Sequence, residues 1–394
     1  MVRYALGDVT DGMVLGQSIF NPNGELLLAA GFHINEQHRK RLDELGYHSV
    51  LIEVEGTEGV IPETIISEHV QREMDVTMNK SVSELNTVFT YRKITNTTVR
   101  EVIKQHKPSL ERFLAPPGLA RALEKLIDEI MNQSAIVLNL SALDKANREY
   151  FAHVINVTIV ALCIGRKYRL DTEELKQLGM GALNYDVGLI ALPKDLLEKK
   201  EPLTDDEMTA LQQHTVFGHL MLSENPSIPP TSSAVALQHH EHQDGSGFPR
   251  AIKSSNRPPV KDFSRPNTIH RFAEIVAVAD AYDMLVSGRP HYSQKRSLME
   301  AMKQIVAWAG TRLNSEVVKM LLTMVPLYPV GARVRVLNAP VSQLIGYSGV
   351  VAKDNPAKLD EPQVVLFETK HHQKVNPVMV DLAVHKGILL ELIT

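Results

Sequence analysis

The sequence predicts a multi-domain chain: an all-α helical bundle core, with a small α/β module before it and a β-rich segment after it. Three observations predict this. Residues 146–325 carry long stretches with apolar residues at helical spacing. Residues 326–394 change to short β-rich runs separated by Pro, Gly and Asn. The chain has 394 residues, too many for one ordinary core.

In chain order, residues 1–60 read as the α/β module. "MVLGQSIFNPNGELLLAA" gives two apolar runs around Asn23-Gly24, a hairpin signal. "NEQHRKRLDELG" follows as a short helix with Asn35 as N-cap and Gly46 just past its end, and "HSVLIEV" returns as a strand. Residues 61–145 are polar and mostly helical, broken by Pro108, Pro116 and Pro117, and read as a helical connector. In residues 146–325, "REYFAHVINVTIVALCIGRKY" is apolar at Phe151, Val154, Ile155, Thr158, Ile159 and Leu162. "TDDEMTALQQHTVFGHLML" opens with Thr204 and Glu207, a capping box. "TIHRFAEIVAVADAYDMLVSG" is a helix closed by Gly288, and two further helices follow in "SLMEAMKQIVAWAG" and "NSEVVKMLLTMV". In residues 326–394, "ARVRVLN", "YSGVVAK", "PQVVLFE" and "NPVMVDL" predict a small antiparallel sheet or barrel.

Composition narrows the function. Net charge is -4, so no basic field favours duplex nucleic acid or an anionic membrane, although a small anionic ligand needs only local positive charge. No apolar run reaches the about 18 residues of a membrane span. The single cysteine, Cys163, excludes an internal disulfide, lies in an apolar run and reads as a core residue; a cytoplasmic location is expected. The 16 histidines are the unusual feature, many of them between His153 and His242, and metal chemistry is one reason to collect them.

Five features carry candidate chemistry. In "LQHHEHQDGSGFPRAI", His239 and His240 end a helix and Asp244 to Pro249 form a tight loop. Adjacent histidines there can share one metal site; they can equally be exposed residues complementing the helix dipole. In "GALNYDVGLIALPKDLL" a helix ends at Asn184-Tyr185-Asp186 and Gly188 permits a turn. Asp186 can bridge two cations, or be an ordinary turn aspartate. Glu149 and His153, four apart, share a helical face as ligands or as a surface pair. His214 falls in the middle of an amphipathic helix. Asp280, inside the apolar "EIVAVADAYDML", is costly unless paired or metal-bound, while Asp283 could be a surface or capping partner.

Taken together, the order His153, Tyr185-Asp186, His214, His239-His240-Glu241 with its Asp244–Pro249 loop, and Asp280 resembles the HD superfamily of metal-dependent phosphohydrolases. "HHEHQDGSGFP" is similar to the HHExxDGxGYP signature of the HD-GYP subfamily, and the resemblance spans about residues 145–325. It implies hydrolysis of cyclic di-GMP or a related cyclic dinucleotide at divalent metal ions, iron or manganese foremost, one to three per chain. It also implies the family's helical fold, and signalling proteins as further partners. By position, Glu149, His153, Asp186, His214, His239, His240 and Asp280 match the metal ligands, with Asp186 as the catalytic, bridging carboxylate. Arg289 matches a phosphate-contacting residue, and Gly245, Ser246, Gly247, Phe248 and Pro249 match the loop beside the substrate.

Four positions depart from that pattern. Tyr185 stands for the HD histidine, Leu189 for a lysine, Phe248 for the GYP tyrosine and Tyr292 for a usually basic residue. The first removes an imidazole ligand, and the second and fourth remove positive charge from the phosphate site. Two functions therefore stand against each other: a phosphodiesterase with weakened hydrolysis, and an inactive relative that binds a cyclic dinucleotide or a signalling partner.

Overall fold

The computed structural model describes residues 1–20, 25–45, 47, 49–57, 60, 65–82, 96–138, 150–199, 201–260, 268–288 and 296–393. They fall into two compact units: residues 1–65, 134–148 and 324–394 in one, and 66–133 and 149–323 in the other.

The first unit is β-rich. β1 (Val2–Ala5) pairs antiparallel with β4 (Ser49–Ile52), and β2 (Ile19–Phe20) pairs with β3 (Leu26–Leu28). The Asn23-Gly24 turn expected between β2 and β3 and the Gly46 helix end lie outside the described residues. α1 (Glu36–Glu44) is capped as expected, the Asn35 side chain accepting the His38 amide at 2.9 Å. The tail forms β5 (Arg333–Asn338), β6 (Ser348–Lys353), β7 (Gln363–Glu368), β8 (Lys374–Asp381) and β9 (Leu389–Leu392). These make one antiparallel sheet in the order β8-β7-β6-β5-β9. Its buried face (Val334, Val350, Val364, Val380) shares a core with Val2 and Val60, and the Arg3 amide donates to the Gly331 carbonyl at 2.8 Å. The segments 1–60 and 326–394 thus lie in one unit.

The second unit is helical. Its elements are α2 (Glu68–Val82), α3 (Asn96–Gln105), α4 (Lys107–Leu114), α5 (Leu119–Asn132), α6 (Tyr150–Lys167), α7 (Thr172–Asn184), α8 (Lys194–Leu197), α9 (Asp205–Gln212), α10 (His214–Ser223), α11 (Pro230–Gln238), α12 (Arg271–Ser287), α13 (Leu298–Trp308) and α14 (Ser315–Leu322). Helices α6 and α12 form its centre. From His153 to Gly165 every α6 residue is buried, not just one stripe, because neighbouring helices cover it on several sides. Cys163 is one of these core residues, and burial pushes its thiol up to about 12. Gly288 closes α12 at φ 76°, as the sequence predicts.

One local reading is corrected and another is sharpened. His214 does not lie inside one long helix: α9 ends at Gln212 and His214 begins α10. The Gln213 amide bonds Ala210 at 3.2 Å, a 3-10 contact, while the His214 ring takes the Leu211 carbonyl, so the helical ladder breaks there. Gly188 lies in the 3-10 turn Val187–Ala191, as the sequence predicts, and is needed there for close approach. A Cβ on it would sit 1.9 Å from the His214 carbonyl oxygen and 2.6 Å from the Gly218 amide.

Candidate metal centre

The centre lies in the helical unit and has two halves. In the first, the turn after α7 supplies Asp186, the start of α10 supplies His214, and the end of α11 supplies His239 and His240. The backbone contact between Gly188 and α10 sets the spacing of Asp186 and His214. The His214 Nδ1–H donates to the Leu211 carbonyl at 2.7 Å, and the His239 Nδ1–H donates to Ala236 at 3.0 Å and Val235 at 3.2 Å. Those bonds assign the ring protons to Nδ1 and leave each Nε2 as an acceptor. The two Nε2 atoms nevertheless face one another at 3.3 Å, and Asp186 Oδ1 lies 3.3 Å from one and 3.8 Å from the other. His240 joins them: the ligand atoms of His214, His239 and His240 all lie within 4.8 Å of one another.

Asp186, His214 and His239 are buried, at 5%, 1% and 3% exposure. That rules out the exposed, dipole-complementing reading of His239. Burial, and then the neighbouring His214, push the His239 imidazole down to about 4. Burial, then His239 and His214, push His240 down well below its ordinary value. With their Nδ1 atoms bonded to backbone carbonyls, His214 and His239 turn Nε2 towards Asp186 Oδ1. The donor chemistry fits a divalent cation, whose bonds of about 2.1 Å set neighbouring ligand atoms about 3.0–3.4 Å apart.

The second half is built differently. His153 on α6 lies between two carboxylates of α12: Nδ1 is 2.6 Å from Asp283 Oδ2 and Nε2 is 2.9 Å from Asp280 Oδ1. The Tyr185 hydroxyl donates to Asp280 at 2.8 Å and lies 2.6 Å from His153 Nε2. Asn156 donates to the other Asp283 oxygen at 3.0 Å. Burial alone would raise the Asp280 carboxyl, but the hydrogen bond and charge of His153, with His240 and His239, outweigh it and hold Asp280 well below the usual range. The rings of Tyr185 and His239 touch edge to face at 4.9 Å, so the two halves adjoin.

The loop after α11 fixes the aim of His239 and His240. Glu241, 2% exposed, accepts the Arg250 and Ile252 amides, each at 2.7 Å. Gly247 has no room for a Cβ, which would meet the His242 amide at 2.3 Å. The Ser246 amide bonds Asp244 at 2.9 Å, Gly245 has φ 83°, and the Phe248-Pro249 peptide is cis. Phe248 stacks on His240 with ring centroids 4.7 Å apart.

Of the predicted site residues, His153, Asp186, His214, His239, His240 and Asp280 converge, with Tyr185 among them and the Gly245–Pro249 loop alongside. Glu149, Arg289 and Tyr292 lie outside the described residues. Leu189 faces away, buried in an apolar cluster with Val99, Phe113 and Phe217. Asp283 is a correction: it is neither a surface nor a capping residue but is 1% exposed and holds His153. Asn156 was not singled out. Its signal was available, since His153/Asn156 and Asp280/Asp283 are matching polar pairs three apart in two apolar helices.

Comparison with known proteins follows this geometry. Residues 130–317 match the HD domain family. The chain is 28% identical over 262 residues to a cyclic di-GMP phosphodiesterase of Pseudomonas aeruginosa, covering 65% of this chain and 58% of that one. It is 31% identical over 225 residues to a cyclic di-GMP phosphodiesterase response regulator of Xanthomonas campestris, covering 56% and 54%. It is 36% identical over 141 residues to a cyclic di-GMP phosphodiesterase of Thermotoga maritima, covering 36% and 35%. The chain thus spans 58% or less of the length of each of these relatives. The helical unit, the converging imidazoles and carboxylates, and the family match agree: residues 130–317 of this chain form an HD domain, and the His239–Pro249 loop within it is similar to that of the HD-GYP group.

Proposed function

We propose that the chain is a metal-dependent phosphodiesterase acting on a cyclic dinucleotide, with one divalent cation held by Asp186, His214, His239 and His240. One observation carries this: His214 Nε2, His239 Nε2 and Asp186 Oδ1 converge in a buried space, with His214 Nε2 3.3 Å from each of the other two and those two 3.8 Å apart. The names of the relatives, cyclic di-GMP phosphodiesterases, support the substrate class. A cation bound there would supply a Lewis acid for the phosphodiester and lower the pKa of a bound water.

The chain's own residues do the rest. The Leu211, Val235 and Ala236 carbonyls hold the ring protons on Nδ1 and so present Nε2 inward. Phe248, stacked on His240, shields that ring. Around His153 the arrangement supports a proton-filled half: the Tyr185 O–H donates to Asp280 and the His153 Nδ1–H to Asp283. Protons there satisfy the polar atoms that a second cation would otherwise satisfy, so hydrolysis is expected to be weak. The same feature favours a second reading, a cyclic-dinucleotide binder without turnover.

Metal analysis of the purified protein tests the centre. One iron or manganese per chain is expected; two or more would refute the role given to Tyr185. A cyclic di-GMP hydrolysis assay with added Mn²⁺ or Fe²⁺ separates enzyme from binder, and calorimetry with cyclic di-GMP separates a binder from a protein that takes no nucleotide.

A further inference from the structure

Beside the centre lies a cation that the sequence pattern did not mark. Helix α13 ends at Trp308, and residues 308–313 form a tight turn, with the Arg312 and Leu313 amides both bonded to the Trp308 carbonyl (3.0 and 2.9 Å). Two contacts lock this turn onto the metal-site loop. The Asp244 amide donates to the Thr311 carbonyl, and the Asn256 side chain donates to the Gly310 carbonyl, each at 2.9 Å. The Arg312 guanidinium lies over the Trp308 ring, 4.4 Å from its centroid. It is half-buried, and no described residue forms a hydrogen bond or an ion pair with it. The turn that carries it is thus bonded to the loop that follows His239 and His240.

This is an unusual state for a guanidinium. Elsewhere in the helical unit Arg271, which also lies over an aromatic ring, bonds Glu174 at 2.7 Å. The face of an indole holds a guanidinium in place without using its N–H groups, so the planar donor fork stays free. A free fork beside a cation site suits the paired non-bridging oxygens of a phosphodiester. The lysine expected at position 189 is absent, and Leu189 packs in an apolar cluster, so the phosphate charge needs another partner.

We propose that Arg312, braced on Trp308, is a phosphate-binding residue of this centre, its fork taking the non-bridging oxygens of the phosphodiester beside the metal. The assignment rests on the phosphodiesterase reading for its substrate, but not for its anion.

The test uses the full-length, metal-loaded chain. Trp308 is the only tryptophan, so its fluorescence reports directly on this spot. Titrations of inorganic phosphate and of cyclic di-GMP, followed by fluorescence and calorimetry, compare the native protein with Arg312→Gln and Arg312→Lys. Loss of a charge-assisted pair predicts about 10–100-fold weaker phosphate and nucleotide binding in Arg312→Gln, at unchanged metal content. Arg312→Lys, which keeps charge but lacks the fork, falls between, and stands in for Arg312→Gln should that variant not fold. Native affinity for phosphate in either variant overturns the assignment. Arg312-dependent phosphate binding without any cyclic di-GMP binding upholds it and refutes the nucleotide reading. A native protein that binds neither ligand refutes both.

Discussion

The two halves of the centre use the same residue types to opposite ends. Around Asp186, the histidines spend their Nδ1 protons on backbone carbonyls, so only acceptors face inward. Around Asp280, His153 spends both nitrogens on carboxylates, and Tyr185 adds a hydroxyl. The first arrangement offers a donor set suited to a cation; the second pairs an imidazole and a phenol with carboxylates. What decides between them is the partner of each Nδ1: a neutral carbonyl outside the site, or a charged carboxylate on the next helix. A histidine in a motif therefore says little about metal binding until its second nitrogen is accounted for.

The largest effect that would break this comparison is loss of the cation. Asp186→Ala removes the one negative ligand of the first half. Cation affinity, measured by metal titration, should fall by more than the about 10–100-fold typical of losing a supporting partner, with hydrolysis falling in step. Asp283→Ala attacks the other half, leaving His153 and Asn156 buried without their carboxylate. Breaking such a pair costs about 3–5 kcal/mol, read by urea unfolding, while the Asp186 half should still take its cation.

A third imidazole serves as a control. His270 caps α12, its Nδ1 accepting the Phe272 amide at 3.2 Å, and burial, then Arg271, push it down to about 4. The folded value lies below the unfolded one, so the protein should be more stable above about pH 6.5 and lose that stability as pH falls towards 4. The loss amounts to about 3 kcal/mol. Unfolding curves at pH 7 and about pH 4 check it, and His270→Asn, which caps without titrating, should flatten this part of the dependence. The smallest effect sharpens the role of the phenol. Tyr185→Phe deletes one donor to Asp280 and should cost about 1–2 kcal/mol of stability with no change in cation content. A gain of a second cation in that variant would instead mark the hydroxyl as a plug.

Much of this was legible in the sequence. Helix ends carried their own signals, as at Asn35, Thr204 and Gly288, because caps are local chemistry. The ligand series was readable because its members stand in a fixed order with short motifs, above all the His239–Pro249 stretch. Other features depend on contacts distant in the chain. Asp283 looked like a surface residue because its partner is 130 positions away. The break at His214 comes from a ring bonding a carbonyl of the preceding helix, against a periodicity that runs on unbroken. Arg312 carries no motif at all; only folding brings it beside the loop.

The contact between Gly188 and α10 has a further consequence. Backbone meets backbone there, leaving no space for even a methyl group. Tyr185 and Leu189, flanking that point, can exchange their chemistry because each fills a volume of its own. The glycine works as a dowel between them: it transmits position and carries no reactivity. Redesign of this centre can therefore alter what the flanking side chains do while the distance from the carboxylate to the first imidazole stays pinned.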